Sequence, residues 1–142
     1  MKLPSLLVGV VALAALAGCG ESIPSLPQQK VYPVTGKVTF RGKPTEGIRV
    51  TFVATVPIDE RYFNSEPFTA ADGTFRCTTY KEGDGLPAGV YNVWLTWPEQ
   101  PNEDQRSMEF DRLGSRYNNP NAPAYRITVK EGDNPPLSFD LR

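Results

Sequence analysis

The sequence predicts an all-β fold, a seven-strand antiparallel sandwich placed after an export signal, and three observations lead there. Apolar and polar residues alternate along seven short runs, the period of a strand with one face in a core. Fourteen prolines and twelve glycines punctuate the runs, a composition that suits a loop-rich β protein rather than a helical bundle. A lone apolar stretch, Leu6 to Ala17 behind Lys2, is too short for the ~20 residues of a spanning helix and suits the core of a signal peptide.

The strand-like runs follow in order. "VTGKVTFRG" places Val34, Val38 and Phe40 on one face, and "IRVTFVA" does the same for Ile48, Val50 and Phe52. The Arg41-Gly42-Lys43-Pro44 turn separates these two. "EPFTA" is the third run, and Asp72-Gly73 signals a hairpin into the fourth, "GTFRCTTY", where Phe75 and Cys77 share a face. Gly83-Asp84-Gly85 and Pro87-Ala88-Gly89 precede the fifth, "GVYNVWLTW", with Tyr91, Val93, Leu95 and Trp97 facing inward. "YRITVKE" adds Ile127 and Val129, and "PLSFDLR" adds Leu137, Phe139 and Leu141. Each buried Val, Leu, Ile or Phe contributes about 1.5–3 kcal/mol, so the set supports a folded domain without disulfides or metal.

Composition excludes several chemistries. The chain has 15 basic and 16 acidic residues with no basic cluster, so it carries no electrostatic footprint for nucleic acid. It has no histidine, which removes Ser-His-Asp and Cys-His nucleophile systems and the His-containing zinc and iron sites. A carboxylate pair acting on a glycoside is chemically open, but no spacing of Asp and Glu points to one. The expectation is therefore a protein that is not an enzyme, with no catalytic residue, no resident metal and no cofactor.

The segment "LAGCGESIPS" explains the early cysteine. Leu16-Ala17-Gly18-Cys19 resembles the bacterial lipobox, in which Cys19 receives a diacylglyceryl group and becomes the first residue after cleavage. The expected organisation is a signal peptide over 1–18, lipidated Cys19 with a Pro/Ser-containing tether over 19–30, and one β domain over 31–142. Each buried acyl methylene contributes about 0.8 kcal/mol, and more than one chain makes the attachment stable. The membrane is then a partner through the lipid on Cys19. The resemblance to lipoproteins further implies that Gly20, where Asp would mark inner-membrane retention, favours the outer membrane or cell surface over the inner membrane. Only Cys77 remains, read as a small buried apolar residue, since one thiol cannot form an intrachain disulfide.

Residues 98–123 break the strand rhythm and are far longer than the ~4–6 residues usual between strands, which marks them as the place for specificity. Arg106, Arg112, Arg116 and Tyr117 supply donors and a ring suited to a carboxylate, phosphate or sugar, and plain solvation accounts for such charges as well. Trp94 alternates away from the core and stands either as an interaction anchor or under the loop, where Met108, Phe110 and Leu113 could cover it. Asp72, Glu82 and Asp84 could ligate calcium through oxygen, but Asp-Gly and Gly-Asp-Gly turns account for them without an ion.

Three segments, "VTGKVTFRGKPTEGIRVTFV", "AADGTFRCTTYKEGDGLPAGVYNVWLTWP" and "YRITVKEGDNPPLSFDL", together resemble small bacterial lipoproteins with a carboxypeptidase-regulatory-like, transthyretin-like domain. The loop ending "LGSRYNNPNAPAYRITV" extends the similarity over nearly all of 31–142. That resemblance implies a transthyretin/immunoglobulin-like sandwich. It does not imply the chemistry of fold relatives: the chain has no His-containing zinc motif, and it ends "SFDLR" rather than with the Tyr-Arg-Gly-Ser of hydroxyisourate hydrolases. The expected function is a lipid-anchored, non-enzymatic binder or scaffold of an envelope protein or glycan. A small-ligand transport or sensing accessory is the alternative, and a carboxylate-only envelope hydrolase ranks last.

Overall fold

A computed structural model of the chain describes residues 27–99 and 110–142. Cys19, Arg106 and Met108, with the expected signal peptide, lie outside the described residues. The described chain is all-β. Its strands are β1 (Val31–Tyr32), β2 (Thr35–Phe40), β3 (Lys43–Pro44), β4 (Arg49–Ala54), β5 (Asn64–Ser65), β6 (Thr74–Arg76), β7 (Leu86–Pro87), β8 (Gly89–Thr96), β9 (Tyr125–Val129) and β10 (Leu137–Leu141).

One sheet has the order β10-β2-β3, with β6 also on β2; the second has the order β5-β4-β8-β9; β1 and β7 form a small ribbon. Alternation does what the sequence requires of it. Along β4 every second residue is buried, and Val50, Phe52, Tyr91, Val93 and Leu95 are fully enclosed. The sheets meet through aromatic rings, Phe52 with Phe75 at 5.8 Å between centroids and Tyr125 with Phe139 at 4.6 Å. Those contacts join both sheets in one core.

Three features depart from the sequence expectation. Among the described residues ten strands replace seven, because the two-residue pairings β1, β3, β5 and β7 are too short to show periodicity. "EPFTA" is not a strand. Pro67 has no N–H to give, so β5 stops at Ser65, yet the segment still borders β4: Val50 N–H donates to Pro67 O and Thr69 N–H to Ile48 O, both at 2.9 Å. Finally, the sheets are not wholly antiparallel, since β10 lies parallel to β2 with Phe139 beside Val38. The turn over 130–136 carries the chain to the end where β2 begins, so both strands run in the same direction.

The molecule therefore has two distinct ends. The first holds the incoming segment 27–32, the 55–63 hairpin, the 78–88 turns and the 130–136 crossing. The second holds the β2–β3 turn, Trp97 and the connection between β8 and β9. At the first end Pro27 O accepts from Arg61 Nη2 at 2.7 Å, Gln29 N–H donates to the Tyr80 hydroxyl at 2.9 Å, and Gln29 Nε2 donates to Asp59 Oδ2 at 3.0 Å.

A candidate binding groove at the Trp97 end

The site begins with the ends of two central strands. β2 finishes at Phe40, and Arg41 and Gly42 then take φ values of 51° and 76°, the left-handed pair that a two-residue hairpin turn requires. β8 finishes at Thr96, which delivers Trp97 beside Phe40, edge to face at 5.6 Å between centroids. A guanidinium covers each ring, Arg41 over Phe40 at 5.1 Å and Arg112 over Trp97 at 5.3 Å. Each contact of this kind contributes about 0.5–1 kcal/mol where exposed.

Asp111 holds the returning chain in place. Its Oδ1 accepts the N–H groups of Trp97 at 2.8 Å and Leu113 at 3.0 Å, and its Oδ2 that of Ser115 at 3.1 Å. Arg112 N–H donates to Trp97 O at 2.9 Å and Glu99 N–H to Phe110 O at 2.8 Å, so a short antiparallel stem extends β8. Leu113 then turns into the core while Phe110 stays 52% exposed.

Between this stem and the β3–β4 turn lies a groove of about 300 Å³, lined by Glu46, Gly47, Phe68, Trp97, Pro98 and Arg112. Phe68 is 55% exposed and separates it from a wider hollow of about 670 Å³ along β6, where Arg76 and Glu82 contribute charge. The groove offers aromatic surface, one guanidinium and one carboxylate. Such a set can stack a planar or sugar ring and bond carboxylate or hydroxyl groups.

The residues singled out from sequence separate here. Arg112 lines the groove. Trp94 does not: it is half-buried on the outer sheet face, and its Nε1–H donates to Asn119 O at 2.8 Å. The loop thus touches Trp94 through the Asn119 backbone, whereas Leu113 goes to the core and Phe110 to solvent. Arg116 and Tyr117 hold the chain end, with Arg116 Nη1 donating to Arg142 O at 2.8 Å and the Tyr117 hydroxyl accepting from Arg142 N–H at 2.9 Å. Sequence reasoning missed Phe68, Trp97 as a groove wall, and Asp111. An apolar side chain beside a proline, a strand-end Trp in phase with the core and a loop acid each have an ordinary structural explanation.

The remaining acids and the thiol serve the fold. Asp72 Oδ1 accepts from the hydroxyl and N–H of Thr74 at 2.6 and 3.0 Å, bonds that hold its carboxyl below the usual range. Asp84 accepts three backbone N–H groups, from Thr79, Tyr80 and Lys81, at 2.8–3.0 Å. Partial burial works to raise its pKa, but these donors outweigh it and leave the pKa lowered. Among the described residues no group of three or more Cys, Asp or Glu side chains gathers as a metal ion would need. Burial pushes the Cys77 thiol up to about 12, far from the range of a reactive thiolate.

Compared with known proteins, the chain matches no family model, and no curated protein or solved structure is significantly similar to it.

Proposed function

We propose that this protein is a lipid-anchored, non-enzymatic β-sandwich of the bacterial cell envelope, transthyretin-like in plan, that binds an envelope protein or glycan through the groove at Trp97. The two sheets joined over one aromatic core support the sandwich, and the Leu16-Ala17-Gly18-Cys19 tetrapeptide supports the anchor. The observation that carries the binding reading is Phe68, more than half exposed beside Trp97 and Arg112 on the lip of a preformed groove. Exposed aromatic and Arg side chains together are the usual energetic centres of recognition surfaces.

The test is capture from detergent-solubilised envelopes with the mature chain against a Phe68→Ala/Arg112→Ala variant, alongside binding to purified envelope polysaccharide. Loss of the captured partner or polysaccharide in the variant, with unchanged thermal unfolding, supports the groove. Equal capture by both sends the search for the binding surface elsewhere. The 670 Å³ hollow beside Phe68 falls within the size range of small-molecule sites and supports the second reading, a ligand-holding accessory.

A further inference from the structure

The end of the domain opposite the groove carries an arrangement that the binding reading leaves unused. Residues 56–62 form the tip of a hairpin: Ile58 and Arg61 exchange backbone hydrogen bonds at 2.8 and 3.1 Å, and Asp59 and Glu60 turn the chain at φ 52° and 62°. Val56 and Tyr62 in this tip are 59% and 65% exposed, the two most exposed large apolar side chains among the described residues. The same tip receives the incoming chain, since Arg61 binds Pro27 O and Asp59 binds Gln29.

We propose that the Val56–Tyr62 tip rests on the lipid surface to which Cys19 tethers the domain, so that the Trp97 groove faces away from the membrane. The inference rests on the anchor reading. Three observations select lipid as the occupant. The chain from Cys19 arrives at this end of the domain, where Pro27 and Gln29 bond to Arg61 and Asp59 of the tip and Gln29 N–H also donates to the neighbouring Tyr80 hydroxyl. The eight steps of chain from Cys19 to Pro27, whatever their conformation, reach at most about 29 Å. The seven steps from Gly89 to Thr96 along β8 alone span about 23 Å between the two ends, so turning the Trp97 end to the bilayer would use up most of the tether's reach along the domain. Charge agrees as well: the tip residues Asp59, Glu60 and Arg61, with Lys30 of the incoming chain, make a balanced set compatible with a zwitterionic surface, while Tyr62 presents a ring with a polar tip, the side-chain type enriched at membrane interfaces.

The test uses the full chain, processed in a bacterial host and reconstituted into phosphatidylcholine vesicles, with a fluorophore on Tyr62→Cys or, separately, on Phe110→Cys at the opposite end. Both native side chains are exposed, so neither change threatens the core, and native Cys77 is too buried to take the label at neutral pH. Nitroxide headgroup lipids should quench the Tyr62→Cys label at least about two-fold more than the Phe110→Cys label, because an interfacial apolar tip enters about 5–10 Å into the headgroup region. Equal quenching at both positions, on protein whose mass shows an acylated Cys19, overturns the orientation and leaves the anchor standing. An unmodified Cys19 overturns the anchor and the orientation with it. A Tyr62→Cys label that answers to added envelope proteins but not to lipid assigns the tip to a protein partner and also overturns the proposal.

Discussion

The carboxylate of Asp111 accepts the backbone N–H of Trp97 at 2.8 Å, across fourteen positions of chain. This contact closes the base of the long β8–β9 connection and sets the height of Arg112 over the Trp97 ring. Replacing Asp111 by Ala leaves three N–H groups without their acceptor, and losses of this kind cost about 1–2 kcal/mol. Asp111→Ala should therefore lower the denaturation midpoint modestly and shift tryptophan emission to the red as Arg112 leaves the ring. An unchanged emission spectrum would show that Arg112 stays in place without the clamp.

Phe52 is fully buried and carries the ring contact with Phe75 between the sheets. Phe52→Ala removes that contact and opens a cavity, at a cost of about 3–5 kcal/mol in urea unfolding. A loss below about 1 kcal/mol would mean that the sheets pack through other residues.

Gly85 lies against the Tyr32 carbonyl with φ +104°, and a Cβ there would overlap that oxygen. Gly85→Ala should separate β1 from β7 and loosen the segment leading into β2, read as faster amide exchange at Tyr32 and Leu86 with the β4–β8 ladder unaffected. Uniform exchange across the domain in the variant would contradict a local effect.

Asp84 has a lowered folded pKa, so its contribution to stability is complete above its unfolded value near 4 and disappears as pH falls through the folded value. Asp84→Asn should unfold more readily than wild type at pH 7, and the two stabilities should converge as the pH drops below about 4. A gap that persists unchanged at pH 2 would point to packing rather than charge.

Cys77 shifts the other way. Its folded pKa is raised, so the neutral thiol's contribution is complete below the unfolded value near 8.5 and is lost as pH rises toward 12. Native protein at pH 7.5 should resist maleimide labelling at Cys77 and take it up fully in denaturant. Rapid labelling of the native protein would show an opening of the Ser65–Cys77 region.

How much of this was legible in the residues differs from element to element. Alternation alone determined the inner faces of β2, β4, β8 and β10, because a period of two leaves no freedom over which side chains enter a core once one face is buried. The absent histidine, and the Leu16-Ala17-Gly18-Cys19 order behind the expected lipobox and tether, are likewise read from composition and order, indifferent to packing. The 55–63 hairpin was not visible, since its turn places Asp59 and Glu60 in left-handed conformations without a glycine to announce it. Neither was the parallel placement of β10, which depends on which sheet the chain joins after Gly132, a choice made by long-range contacts such as Tyr125 with Phe139. The groove belongs to the same class. Phe68, Trp97 and Arg112 are separated in the chain and chemically ordinary one by one, and only the convergence of two sheet ends and a loop clamped by Asp111 brings them together.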